Sequence, residues 1–586
     1  MTNGDNRAVI IPADRNITIT SDENGPYTIK QPNLARHIVM DIGDQEPPST
    51  LILKDIIFKG GNDTHFGSAG DSGGIVVSGD GTHLFMEDGA TIWNCYSNSS
   101  GGGIHVSDEA CLTMENSTVH NNTALGSGGG VYSNSLVLVI NGSNFSNNTA
   151  GGNGGGVYSV PPNTGSGNIY YSIFNDNVAG GNGGGLYAFS PDESYLISNT
   201  FDNNEAGENG GGLYLDGGGS GDSGGAFIFG GSVTISNNTA LNGDGGGVYS
   251  VACYFWAPSG DFTINDNEAG GNGGGVYAGG NTRFQVANFI VSNNTADGDG
   301  GGIYLDSNKD NNHFTGGTVS DNKAGGNGGG LYAVGDVNAS FSLGGSVTIS
   351  NNIAVLGHGG GVYADIGSFK AEYGDFTISD NEAGGHGGGA YVGNNSRFQV
   401  NHFIVSDNTA GRDGGGIYLD SNYENNSFIG GTVSGNTAGE NGGGVYIHGT
   451  LELKIDSKVS NNVAGGNGGG VYLNESTQFL LYESSISDNK ADGDGGAVYI
   501  SDYGSFTMEY STIINNTAGE NGGGVYSTES GSLYVNDYSS IIYNVAVESG
   551  GGVYSNGTFS LTSYSNVDHN KALNGDGGGV YAGEAV

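Results

Sequence analysis

Histidine between two glycines occurs twice, as GHG at 357–359 and at 385–387. His358 or His386 beside clustered aspartates and a basic pair would be acid–base machinery for cleaving a glycosidic bond. Those companions are missing from the sequence. The 16 Lys and Arg are scattered, and the same slot reads GNG or GDG elsewhere, so both histidines read as variants of a structural link. GDGGG at 243–247, 298–302 and 575–579, with a copy at 493–497 ending in Ala497, offers Asp244, Asp299, Asp494 and Asp576. A glycine–aspartate motif of this type cages calcium when it repeats about every nine residues; here the interval is about three times too long. The aspartates read as turn formers. Weak calcium binding through surface oxygens, without a defined cage, is expected, and no other cofactor. Cys95, Cys111 and Cys253 build no disulfide framework. Cys95 and Cys111 read as buried free thiols, the alternative being a bond across neighbouring turns. No catalytic and no metal-ligating set is assigned.

These groups sit in a repeat of roughly 27 residues, which decides the architecture. One unit reads apolar-x-x-Asn-x-Ala, a Gly-rich link, then Gly-Gly-Gly-apolar-Tyr. The asparagine recurs at Asn148, Asn177, Asn238, Asn267, Asn294, Asn352, Asn381 and Asn489, among others. The tyrosine recurs at Tyr158, Tyr187, Tyr249, Tyr277, Tyr304, Tyr363, Tyr391 and Tyr418, among others. The interval from Asn to Tyr is nearly constant, whereas Tyr to the next Asn ranges from 16 to 24 residues. One side of each unit is therefore structural, and the other carries the loops.

Helix is ruled out by glycine, 117 of 586 residues, and by β-branching. FTIND (262–266), VTISNN (233–238) and GGGVYS (245–250) alternate as short strands, with Val248 and Ser250 inward and Tyr249 outward. Two or three such strands cannot bury their own apolar face, but stacked coils can. The expected fold is all-β: one right-handed parallel β-helix, or β-solenoid, of about 19–21 coils with roughly 27 residues per coil. Glycine serves the bends, and the buried asparagines form a ladder from coil to coil. Residues 1–100 read as the opening coils and 101–586 as the regular repeat. Within the repeat, 230–343 and 344–457 are a duplicated four-coil block: NTRFQVANFIVS (281–292) returns as NSRFQVNHFIVS (395–406).

Sixty Asp and Glu against 16 Lys and Arg give a net charge of −44. That argues against nucleic acid and against an anionic membrane surface. No apolar run is long enough for a transmembrane helix, so no membrane insertion within this chain is expected. The tyrosines in register would form a stripe, either a stiffening stack or an aromatic strip for sugars or lateral contact. Of the many Asn-x-Ser/Thr sequons, Asn338, Asn394, Asn425 and Asn474 lie in the variable arm, where a glycan would be accommodated.

GGGVY and GGGIY paired with FSNN (145–148), FNDN (174–177) and FDNN (201–204) resemble the GGA[IVL] and FxxN repeats of chlamydial polymorphic outer-membrane proteins. They also resemble the wider group of adhesin-like surface proteins built on right-handed parallel β-helices. The resemblance covers nearly the whole chain and rests on fold-making residues. It implies an extracellular or cell-surface passenger or stalk. A C-terminal membrane barrel and a wall-sorting motif are both missing from the sequence. GHG also occurs in polygalacturonases, but their aspartate cluster and basic pair are not found here, nor is the basic group beside calcium that lyases of this fold need.

The expected function is a non-enzymatic, extracellular adhesin-like scaffold or fibre component making multivalent weak contacts. Partners would be other copies of the chain, other surface proteins, or glycans. The alternatives are a polysaccharide-binding or polysaccharide-degrading β-helix and a head-to-tail filament subunit.

Overall fold

The structure is a computed structural model that describes residues 8–30, 35–43, 46–61, 74–135, 137–162, 165–219, 224–393, 396–421 and 423–583. Every helix or strand among these residues is a β-strand. The chain is a right-handed parallel β-solenoid of about 19 turns with about 28 residues per turn. Its contacts divide it into two compact units, Met1–Ala296 and Asp297–Val586.

In the first unit a regular coil has four strands: Val131–Ser133, Val137–Asn141, Asn144–Ser146 and Thr149–Ala150. Each pairs in parallel with its counterpart one coil on, so that Val131 faces Val157 and Tyr132 faces Tyr158. The second unit repeats the pattern with Val471–Leu473, Gln478–Tyr482, Ser485–Ser487 and Lys490–Ala491. The opening coils lack the triple glycine yet stack on the same face: Val9–Ile10 pairs with Ile38–Asp41, which pairs with Ile75–Ser78.

Alternation sets the core. Val131 and Ser133 are buried on either side of a half-exposed Tyr132, and the same holds for Val248, Tyr249 and Ser250. Inside, like residues lie over like: Phe145, Phe174 and Phe201 stack at 4.9 and 4.7 Å. Two details differ from the reading of the sequence. The Asn-x-Ala segment is itself a two-residue strand, because its alanine is small enough to be buried at the tightest part of the coil. The triple glycine is a corner ahead of the strand and not part of it.

Gly154 and Gly155 show why that corner needs glycine. Gly154 sits at φ +67°, and a Cβ there would stand 2.5 Å from the Val157 carbonyl oxygen. A Cβ on Gly155 would stand 2.3 Å from the Gly184 carbonyl of the next coil. Only the third position yields to a methyl group, as Ala497, which is fully buried.

Candidate functional site

The repeated residues form columns. Deepest is the amide ladder. In the second unit the side-chain amide of Asn352 donates to Asn381 Oδ1 at 2.9 Å, and Asn381 donates to Asn408 Oδ1 at 2.9 Å. The same oxygen accepts the backbone N–H of the preceding asparagine, as from Asn352 to Asn381 at 2.9 Å. The second amide proton goes to a carbonyl one coil back, from Asn381 to Ile349 at 3.0 Å. Both donors and both acceptor positions of an interior rung such as Asn381 are satisfied, which a fully buried amide requires. In the first unit the ladder runs from Asn122 through Asn148, Asn177, Asn204, Asn238 and Asn267 to Asn294. The second unit has a ladder of its own from Asn322 to Asn570, with Asn489 one rung of it.

The bend is made by the residue just before each ladder asparagine. Asn147, Asp176, Asn237, Asp266 and Asp380 all have φ near +55°, and Gly435 fills the slot once at +70°. Asparagine, aspartate and glycine are the residues that tolerate this region. In most coils the signal was present in the sequence as the first letter of NN or DN; Tyr543 at φ +57° and His569 at φ +52° take the slot before Asn544 and Asn570.

Outside the core the tyrosines stack. From Tyr304 to Tyr581 successive ring centroids lie 4.6–5.2 Å apart and within 14° of parallel. In the first unit His105 heads a similar stack through Tyr132, Tyr158, Tyr187, Tyr214 and Tyr249 to Tyr277. Each ring's faces are covered by its neighbours, so the column turns edges and hydroxyls outward. Partial burial, then neighbouring tyrosines or carboxylates, favours the protonated phenol at four of them. Tyr187, Tyr363, Tyr418 and Tyr526 are pushed up to about 12.

Beside this stack runs a second ladder that the sequence reading did not identify. It is built from the variable residue of the Gly-x-Gly link. Asn182 N–H donates to Asn153 Oδ1 at 2.8 Å, and Asn209 N–H to Asn182 Oδ1 at 3.0 Å. In the second unit Asn327 N–H donates to Asp299, His358 N–H to Asn327 Oδ1, and His386 N–H to His358 Nδ1. The series runs on through Asp413, Asn441, Asn467, Asp494, Asn521 and Ser549 to Asp576. Here a coil donates to the side chain of the coil before it, the reverse of the core ladder. Asp244, Asp299, Asp494 and Asp576 are therefore rungs as well as turn residues.

His358 and His386 lie in this ladder, stacked 5.0 Å apart and leaning on Tyr391 and Tyr418. Burial, then the charges of His386 and Arg412, lowers the pKa of His358, which keeps Nδ1 free to accept. His386 Nδ1 lies 3.3 Å from the Asp413 N–H and 3.2 Å from its carboxylate. A neutral ring accepts the first, and a protonated ring donates to the second. Burial pushes the Asp413 carboxyl up, but hydrogen bonds from His386 and Asn441 outweigh it and hold it below the ordinary carboxylate range.

The remaining expected sites are dispersed. Asn338 and Asn425 are exposed, Asn474 is half-buried, and Asn394 lies outside the described residues. Cys95 and Cys253 are buried free thiols, whereas Cys111 is free but only half-buried. Its side chain points outward from the strand Cys111–Glu115, since Leu112 and Met114 take the inward positions.

Three family models match stretches of the chain. Residues 61–223 match the right handed beta helix region, and residues 342–575 match the periplasmic copper-binding protein NosD. Residues 232–251 and 288–306 match the Chlamydia polymorphic membrane protein repeat. No curated protein matches the sequence. With the coil geometry these matches define a right-handed parallel β-helix protein. More particularly, stretches of it are similar to a family of periplasmic proteins and to the repeat of a family of membrane proteins.

Copper favours imidazole and thiolate ligands. Among the described residues no three His, Cys, Asp or Glu side chains gather into a set that could hold a metal ion. His358 and His386 adjoin, but the Nδ1 of each faces a backbone N–H. The described residues do not fit a resident copper centre. No helix among the described residues is long and apolar enough to cross a membrane.

Proposed function

We propose that the chain is a non-enzymatic scaffold of the cell surface or envelope, which holds many weak contacts on a stiff support in the manner of an adhesin. The observation that carries this reading is uniformity. In each unit the amide ladder, the tyrosine stack and the outer ladder pass from coil to coil, and the side chains that could do chemistry are spent as rungs. His358, His386 and Asp413 are bound to neighbouring coils and not aimed at a shared point in solvent. Repetition of this kind supplies avidity through effective concentration. The acidic surface adds loose attraction for divalent cations.

The test has two arms. Labelling intact source cells with a membrane-impermeant amine reagent, followed by recovery of the chain, should find it modified if it lies at the surface; a chain modified neither there nor in a released periplasmic fraction sinks the location. Incubating the purified protein with neutral and acidic polysaccharides should release no new reducing ends and no unsaturated uronate; steady release of either sinks the non-enzymatic reading. A second reading, carried by the match over 342–575, is copper handling. Calorimetric titration with Cu(II) and Cu(I) decides it, because stoichiometric uptake abolished in His358→Asn/His386→Asn would require it.

A further inference from the structure

Asparagine followed by glycine is the pair most prone to spontaneous loss of a side-chain amide, because nothing on the glycine hinders its nitrogen from closing a ring on the asparagine Cγ. The Gly-rich links carry that pair repeatedly, at 153–154, 182–183 and 209–210 in the first unit and at 327–328, 441–442, 467–468 and 521–522 in the second. Three links are one residue longer than the rest. Four positions separate Ala240 from Asp244, Ala354 from His358 and Ala572 from Asp576, against three between Ala150 and Asn153. Two of these longer links spell Leu-Asn-Gly-Asp, at 241–244 and 573–576. In them the asparagine stands ahead of the rung and is not the rung itself.

In an ordinary link one residue of the next coil grips both reacting groups. Asn182 N–H donates to Asn153 Oδ1 at 2.8 Å, and the Asn182 carbonyl accepts Gly154 N–H at 2.9 Å. Asn209 grips Asn182 and Gly183 in the same way. In the second unit Asn467 grips Asn441 and Gly442, and Asp494 grips Asn467 and Gly468. Ring closure requires the glycine nitrogen to give up its proton and turn its lone pair onto Cγ. Both bonds must break first, so reaction waits for local opening of the coil. In the longer link the grip falls one pair later: Asp244 N–H donates to Asn209 Oδ1 at 2.9 Å, and Gly245 N–H to the Asn272 carbonyl at 2.9 Å. Asn242 is exposed, its Nδ2 donating to the Gly207 carbonyl at 3.0 Å. Gly243 N–H meets no acceptor among the described residues. Asn574 is exposed too, and Gly575 N–H likewise meets none among them.

We propose that Asn242 and Asn574 are sites of spontaneous deamidation, and that the stack itself shields the asparagines of the ordinary links. At the first site Gly243 N bonds to Asn242 Cγ, the Cγ–Nδ2 bond breaks, and ammonia leaves with the proton from the glycine nitrogen. Water then opens the cyclic imide at either carbonyl, giving aspartate or isoaspartate. Aspartate adds a negative charge, and isoaspartate also adds an atom to the backbone. An exposed bulge that carries no rung absorbs either change. In a gripped link the extra backbone atom would move Gly154 N–H out of line with the Asn182 carbonyl. Charge alone is no obstacle there, since Asp244, Asp299, Asp413 and Asp494 all serve as rungs. What the grip protects is backbone register. This chemistry follows from the links and is independent of what the scaffold binds or where it resides.

The test is incubation of the purified, folded chain in mildly alkaline buffer, followed by peptide mapping with mass spectrometry that separates asparagine, aspartate and isoaspartate. Asn242 and Asn574 should convert about tenfold faster or more than Asn153, Asn182, Asn441 and Asn467, whose reaction needs the coil to open. The same incubation in denaturing urea removes the stack, and all these asparagines should then convert at like rates. Amide hydrogen exchange gives an independent reading: Gly243 and Gly575 should exchange early, and Gly154, Gly183, Gly442 and Gly468 late. The proposal is overturned if the gripped asparagines convert as fast as Asn242 in the folded chain, or if Asn242 and Asn574 stay intact. It is equally overturned if the difference in rate persists in urea, since local sequence would then be the cause, or if Gly243 is as protected from exchange as Gly154.

Discussion

The two ladders do the same job under different constraints. Each hands a backbone N–H to a side chain in an adjacent coil, yet the inner one uses asparagine at every rung from Asn322 to Asn570, and the outer one uses Asn, Asp, Ser and His. Burial explains the contrast. Inside, an amide must give two hydrogen bonds and accept two, and a carboxylate there would be an unpaired buried charge. Outside, water covers whatever a rung does not use, so the position needs only an acceptor at the right distance. The tyrosine column is half-buried, as most of the outer rungs are, and is held by ring contact. A position's tolerance therefore follows its depth and not the shape of its hydrogen bond.

The sharpest way to break this ranking is at the deepest column. Asn381→Ala leaves the Asn352 N–H and amide without an acceptor and the Ile349 carbonyl without its donor. At about 1–3 kcal/mol per buried group, a loss of about 4 kcal/mol is expected, read as a fall in urea midpoint with increased amide exchange in the neighbouring coils. A loss below about 1 kcal/mol would place the inner ladder on a par with the outer.

Next comes the tyrosine column under alkali. The folded phenols of Tyr363 and Tyr418 lie at about 12 against an ordinary 10.0, so the folded state favours the protonated form. Their contribution is complete below pH 10 and is lost as pH rises towards 12. Tyrosinate absorbance should lag behind that of free tyrosine and rise together with loss of the β-sheet dichroism. Ordinary titration near pH 10 with the sheet intact would show the stack to be loose.

The outer ladder should answer more weakly. Asn153→Ala removes the acceptor for Asn182 N–H and should cost about 1 kcal/mol, while Asn153→Asp, which keeps that acceptor, should stay within about 0.5 kcal/mol. Smallest is an acid effect at His358. Its pKa is lowered, so the folded state favours the neutral ring, and its contribution, present above pH 6.5, is lost as pH falls. His358→Asn should flatten the dependence of the urea midpoint between pH 6.5 and 4.5; an unchanged slope would take His358 out of the ladder's acid response.

The core was legible because burial imposes residue type. Val248 and Ser250 alternate with Tyr249, and Asn238 and Asn267 keep their identity from coil to coil. The outer ladder was hidden by its own tolerance: Asn153, Asp244, His358 and Ser549 share a function that no single letter records. Cys111 was misjudged as buried because an outward position on a strand leaves no mark in composition.

Because the inner amides pass their protons forward and the Gly-x-Gly links pass theirs back, each slice of a unit presents both its neighbours with the same complementary pattern of giving and taking. A slice can follow any other without a new interface having to be devised. Genetic copying of whole turns, as the 114-residue shift between 281–292 and 395–406 records, then lengthens the protein at no cost in fit, and natural selection is left to vary only what faces outward.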